Sequence, residues 1–138
     1  MAVKVTAKYI GGQQVELEHG PSGGRILTDL PVDSGGKGRA FSPTDLLASS
    51  LASCILTVMA GVAERNGIEF KGAAIEIEKH MQESPRRISK FTGTIALPAG
   101  LDEKQREKLL ACVKACPVGR SLHPDIKVEF KIKAEEVV

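Results

Sequence analysis

Three cysteines, Cys54, Cys112 and Cys116, are the residues of this 138-residue chain best suited to chemistry. A thiol attacks as its thiolate, which at neutral pH calls for a neighbouring cation or a helix N-terminus. Cys54 sits midway along the most apolar stretch of the sequence, next to Ser53. It lies about three turns from the expected helix start, where the helix dipole gives little help. Its activation would need a cation, and Arg25 and Arg39 in the preceding segment are the candidates. Cys116, just before Pro117, is better placed for a helix-end effect. Electrostatics alone does not decide which of the two attacks, and Cys54 taken alone reads equally well as a small buried hydrophobe in an apolar stripe. Cys112 and Cys116 fall four apart on one helical face. Together with His123 they give a C-x3-C-x6-H spacing, a poor zinc pattern, so no metal site is expected. His19 and His80 fall on the wet sides of strands. The glycines of Gly35-Gly36-Lys37-Gly38 lack the Ser/Thr after Lys37 and the earlier Gly that a phosphate loop requires.

The element that must position Cys54 is a long helix. Ser42 is a good N-cap, Pro43 suits the first helical position, and Asp45 stands where a capping box places its acid. No charged residue occurs from Leu46 to Ala63, and the helix closes at Glu64-Arg65-Asn66-Gly67 with Gly67 as the C′ residue. The run touches the lower limit of a membrane span, but Ser49, Ser50, Ser53 and Thr57 interrupt it; a buried helix of a soluble protein is expected, not a membrane anchor. Leu47, Leu51, Cys54, Val58 and Val62 form a large apolar stripe at helical spacing. Ala48, Ser49, Ala52, Ser53, Ala60 and Gly61 form a small-residue face that lets another backbone come close. A helix with no charged face must be covered all round, so a homodimer is expected.

Around this helix the period changes to two. Lys4–Ile10, the alternation at Val15 and Leu17, and Arg25–Thr28 read as short strands with Gly-rich turns, followed by a flexible Val32–Gly38. Ile75, Ile77, Lys79 and Met81 alternate with Glu76, Glu78 and His80, turn at Ser84-Pro85-Arg86-Arg87, and return through Phe91, Gly93, Ile95 and Leu97 as a long antiparallel hairpin. Asp102 with Gln105 caps a second helix carrying Leu109, Leu110, Val113 and Cys116. Pro117 breaks or restarts it, one more turn fits Val118–Leu122, and Ile126, Val128, Phe130 and Ile132 alternate in a last strand. Strands, helix, strands, helix, strand is an α+β order, with no repeat and no linker: one domain over residues 1–138.

Composition removes other function classes. Lys and Arg total 19 against 17 Asp and Glu, and the net charge of +2 is too small for a phosphate-tracking surface. Aromatic residues make up 4%, without Trp, which argues against a base-stacking nucleic-acid reader. Nothing in Met1-Ala2-Val3-Lys4-Val5 reads as a secretory leader, so reduced cysteines and a cytoplasmic location are expected.

The segment Phe41-Ser42-Pro43-Thr44-Asp45-Leu46-Leu47-Ala48-Ser49-Ser50-Leu51-Ala52-Ser53-Cys54 resembles the Pro-x-x-Leu-…-Cys helix of the osmotically inducible / organic hydroperoxide resistance (OsmC/Ohr) family. Cys116-Pro117-Val118, followed by a final strand, resembles that family's second cysteine motif. The resemblance implies an α+β fold of antiparallel sheets wrapped around a long central helix, with two chains interlocked as a homodimer. It further implies thiol-dependent reduction of organic hydroperoxides, without a cofactor, with an external dithiol as reductant. By position, Cys54 corresponds to the peroxidatic cysteine and Cys116 to the resolving one. The family's best-studied branch places Glu directly after the Pro, where it holds an activating Arg; here Thr44 stands there and the acid follows at Asp45. Asp45 either takes over that task or only caps the helix, and Arg39 and Arg25 lie where the family places the arginine. The reading from another class is a non-catalytic binding or redox-sensing dimer with an apolar interface pocket.

Overall fold

The computed structural model describes residues 1–133. The chain forms two compact units, Met1–Leu46 and the remainder from Leu47. Each holds one three-stranded sheet.

The first unit is a meander of β1 (Val5–Gly11), β2 (Gln14–His19) and β3 (Arg25–Asp29). Both pairings are antiparallel, with Ala7 opposite Leu17 and Leu17 opposite Ile26. Strict alternation therefore puts Val5, Ala7, Tyr9, Val15, Leu17 and Ile26 on one face, and that face stays open: Val5, Tyr9 and Ile26 are each more than half exposed. The Val32–Gly38 stretch is wound up rather than a loose linker. Val32–Ser34 makes a 3-10 turn, the amides of Ser34 and Gly36 both donate to the Pro31 carbonyl, and that of Gly38 donates to Leu30. Backbone bonds of this kind give a Gly-rich segment a fixed path that composition does not announce.

The long helix, α1, runs Pro43–Arg65. Its end follows the C′ glycine rule in full. Gly67 has φ 65°, its amide donates to Glu64, and the amide of Ile68 donates back to Ala63, while the buried Ile68 packs into the core. By length and composition α1 could cross a membrane. Its buried residues are Ala48, Leu51, Ala52, Ile55, Met59 and Ala63. This differs from the expected stripe: Leu51 is shared, but Leu47 is exposed and Cys54, Val58 and Val62 are half-buried at the edge of the core. Ala48 and Ala52, expected to serve another backbone, lie instead on the inward face, where small side chains allow close approach and Ile55 and Met59 fill the volume, while Ala60 stays exposed.

Beyond α1 the hairpin is β4 (Ala74–Gln82) and β5 (Arg87–Ala96), paired antiparallel, with a register shift at His80/Met81. Phe91 and Ile95 of β5 are fully buried in one cluster with Leu51, Ile55, Met59 and Leu109. Burying a side chain of this size stabilises by about 1.5–3 kcal/mol, so this cluster is the main support of the unit. Next comes α2 (Glu103–Leu110), opened by a complete capping box: the Gln105 amide donates to the Asp102 carboxylate and the Asp102 amide to the Gln105 side chain. A 3-10 turn over Ala111–Ala115 tightens its end, and Pro117 starts the one-turn helix α3 (Pro117–Ser121). The last strand, β6 (Lys127–Ile132), joins β5 in parallel, Phe91 opposite Val128. The expectation of antiparallel sheets thus holds for three pairings and fails for this one. The physical reason is the connection: α2 and α3 carry the chain back along the strand direction, and such a crossover sets the next strand parallel.

Candidate functional site

The structure brings two of the three cysteines together. Cys54, on α1, is half-buried, and Cys116 is fully buried; their side chains lie within hydrogen-bonding reach of each other. Cys116 is the N-cap of α3, with an extended backbone at φ −69° and ψ 124° and Pro117 at the first helical position. The Gly119 amide donates to its Sγ at 3.4 Å. Burial pushes the Cys116 thiol up from its ordinary value, and the contact with Cys54 pushes it further the same way, while the amides of Gly119 and Val118 oppose both. Within the pair, Cys116 is the deeper thiol and Cys54 the more open to solvent. Leu51 borders the pair, its Cδ1 3.6 Å from where a Cβ on Gly119 would lie. Of the apolar residues expected around Cys54, Leu51 is buried, Val58 half-buried and Leu47 exposed.

Cys112 is buried apart from this contact. Its Sγ donates to the Lys108 carbonyl at 3.7 Å, and burial raises its thiol while Arg65 partly offsets the shift. His123 turns its Nδ1 to the Asp125 amide at 3.1 Å. Among the described residues no group of three or more His, Cys, Asp or Glu could hold a metal. His19 bonds Ser22 at 2.6 Å in the open, and His80, half-buried, bonds Thr92 across the hairpin at 2.8 Å.

The remaining candidates belong to the first unit. Arg39 is locked onto Asp29: its Nε donates to Oδ2 at 2.8 Å, its Nη2 to Oδ1 at 3.2 Å and its backbone amide to Oδ2 at 2.9 Å. The same Nη2 reaches the Gly12 carbonyl at 3.0 Å, and the Leu30 amide completes the shell of Asp29 at 3.0 Å. These bonds hold the buried Asp29 carboxyl down, from the usual 3.8 to about 2, and hold the Arg39 guanidinium up. Asp29 escaped the sequence reading, because an acid at a strand end has no periodic signal that separates a buried partner from a solvated turn residue. Arg25 pairs with Glu16 at 3.8 Å and Glu18 at 3.4 Å on the exposed sheet surface. Asp45 completes a reciprocal cap: the Ser42 amide donates to its Oδ2 at 2.9 Å, and its own amide donates to the Ser42 Oγ at 3.1 Å. Sequence spacing anticipated this cap.

An α+β chain with a two-thiol contact between its long helix and the short helix leading to its last strand defines a class of thiol protein. The OsmC-like protein family model matches residues 35–131, and the chain belongs to this family. Among solved structures, a protein of Psychrobacter arcticus 273-4, provisionally named as osmotic stress induced and as a detoxification response protein, is 40% identical, with 94% of each chain covered and a TM-score of 0.89. An organic hydroperoxide resistance protein OsmC of Legionella pneumophila is 21% identical over 97% of this chain and 98% of its own, with a TM-score of 0.75. The organic hydroperoxide resistance protein OhrB of Bacillus subtilis is 22% identical over 96% and 98%, with a TM-score of 0.67. The last two share the α+β fold at that distance. The search of curated proteins gave no match.

Proposed function

We propose that the protein is a thiol-dependent peroxidase that reduces organic hydroperoxides with Cys54 as attacking thiol and Cys116 as resolving thiol. The observation that carries the reading is the direct contact of the two side chains, with the more open thiol on α1 and the deeper one buried behind it. The Cys54 thiolate attacks the distal oxygen of the hydroperoxide. An S–O bond forms, the O–O bond breaks, and the alkoxide leaves as the alcohol after taking a proton. Cys54 is then a sulfenic acid. Cys116 displaces its hydroxyl as water, the S–S bond forms, and an external dithiol returns both residues to thiols. Leu51 and Val58 give the pair an apolar border that favours an organic hydroperoxide over hydrogen peroxide. The cycle uses no cofactor, and a reducing compartment, the cytoplasm, suits it.

A homodimer belongs to this reading. It is supported by two open surfaces: the apolar face of β1–β3 with Val5, Tyr9 and Ile26, and the uncharged exposed stripe Leu47, Ser50, Ser53, Thr57 and Ala60 of α1. A second chain covering α1 would bring charged groups of its own towards Cys54. The activating arginine, Arg39 or Arg25, would then act from a position that its bonds to Asp29 or to Glu16 and Glu18 fix in advance.

The test is the reduced protein with tert-butyl hydroperoxide. Two thiols per chain should disappear, and Cys54→Ser should reduce peroxide consumption to background. Unchanged turnover in that variant overturns the proposal. Full retention of thiols in the unmodified protein points instead to a binding or sensing role.

A further inference from the structure

We infer that Gly119 is a positioning residue for the second half of this cycle: its backbone N–H, aimed at the Cys116 Sγ, stabilises the resolving thiolate at the moment it attacks oxidised Cys54. The inference rests on the assignment of Cys54 and Cys116 made above and adds to it the group that makes the buried thiol reactive.

Cys116 is a poor nucleophile by its surroundings. It is fully buried, and burial penalises the thiolate. The titratable group facing it is Cys54 of α1, which as a thiolate repels a second negative charge and as hydrogen-bond acceptor favours the Cys116 proton. What opposes burial and Cys54, among the described residues, is the pair of amides at the start of α3. The Gly119 amide is the one in hydrogen-bond geometry, at 3.4 Å. As the third residue of α3 it has no intrahelical acceptor for that hydrogen, so the bond to sulfur costs the helix nothing. Pro117 keeps the first position without an N–H, which leaves the later amides to serve the sulfur.

The reduced state and the oxidised state then differ in what Cys116 faces. Before peroxide arrives, Cys54 holds the Cys116 proton in place. After oxidation Cys54 is a neutral sulfenic acid; its repulsion is gone, burial remains, and the amides at the start of α3, with that of Gly119 in hydrogen-bond geometry, face the developing charge. The Cys116 thiol loses its proton, its sulfur forms the S–S bond, the S–O bond of Cys54 breaks, and hydroxide leaves with that proton as water. No oxidant beyond the hydroperoxide takes part.

Two substitutions separate the amide from the side-chain space. A Cβ at Gly119 would meet Leu51 Cδ1 at 3.6 Å and Cys116 Sγ at 3.9 Å, both ordinary contacts, so Gly119→Ala keeps the N–H and the packing. Gly119→Pro removes the N–H at a first-turn position. Single-turnover oxidation of reduced protein with tert-butyl hydroperoxide, followed by dimedone trapping of sulfenic acid, reads the two steps separately. Sulfenic acid should form at an unchanged rate in both variants. Its conversion to disulfide should be unchanged in Gly119→Ala and at least about tenfold slower in Gly119→Pro, the size expected for a hydrogen bond to a charged group. The pH at which conversion is half-maximal should rise in Gly119→Pro alone. Equal conversion rates and pH profiles for the two variants overturn the inference.

Should Gly119→Pro fail to fold, the Gly119 amide proton of ¹⁵N-labelled Cys54→Ser protein reports the same bond. It should move downfield as Cys116 titrates, and a resonance that ignores this titration overturns the inference. If Cys116→Ser protein forms no sulfenic acid with the peroxide, the peroxidase reading itself fails, while the amide titration still decides whether Gly119 serves Cys116.

Discussion

Asp29–Arg39 and Cys54–Cys116 each join a buried ionisable side chain to a more open one, and the buried members answer burial in opposite ways. In the first, opposite charges meet inside a shell of amides, and the acid is pulled down to about 2. In the second, two like acids meet in an apolar setting, and the deeper one is pushed up. A group whose charged form is fully satisfied serves as an anchor, because nothing near neutral pH changes its state. A group whose neutral form is favoured by burial, and favoured further while its partner stays reduced, can respond to that partner's oxidation. The difference lies in the donors: four N–H bonds converge on Asp29, and one amide in hydrogen-bond geometry serves Cys116.

The contrast can be broken most directly at the thiols. Cys116→Ser should stop the cycle after one peroxide per chain, with sulfenic acid on Cys54 that dimedone traps and mass spectrometry counts; sustained turnover with dithiol would show that resolution needs no second cysteine in this chain. Next in size is Asp29→Asn, which leaves the Arg39 guanidinium without its counter-charge and should lower the thermal midpoint of the first unit by several degrees at pH 7. The sign follows from the shift. Because folding lowers the Asp29 pKa, its contribution is complete above about pH 4 and is lost as pH falls from 3.8 towards 2. The unmodified protein should therefore lose stability across that window, and Asp29→Asn should show a flatter profile there by circular dichroism. The smallest effect belongs to Cys112→Ala. It removes a buried sulfur bonded only to a helix carbonyl, and should cost about 1 kcal/mol of stability in urea titration with thiol oxidation by peroxide unchanged. A large loss of activity there would bring Cys112 into the cycle.

Much of the fold was legible in residue pattern. The caps at Ser42/Asp45 and Asp102/Gln105, the C′ role of Gly67, the hairpin through Ser84-Pro85 and the restart at Pro117 all follow from local chemistry, and all appear as read. Quantities set by distant partners were not legible. Which side of an all-apolar helix turns inward depends on the volumes it meets, so Leu47 and Ala48 exchanged places. The direction of β6 depends on the length of the return path, not on its alternation. The proximity of Cys54 and Cys116 entered through family resemblance, since sixty-odd residues of chain separate them and spacing carries no distance across a fold. Asp29 and the Gly119 amide had no signal at all, one being a lone strand-end acid and the other a backbone group.

The parallel pairing of β5 and β6 has a mechanical side. Cys116 rides on the segment that leaves one strand and returns to its immediate neighbour, and both ends of that segment are fastened by the same ladder, from Lys90 opposite Lys127 to Ile95 opposite Ile132. The ladder thus fixes where the segment that carries this sulfur begins and where it ends. In the cycle proposed above, a bond closing between Cys54 and Cys116 would pull on a segment held at both ends and not on a loose end.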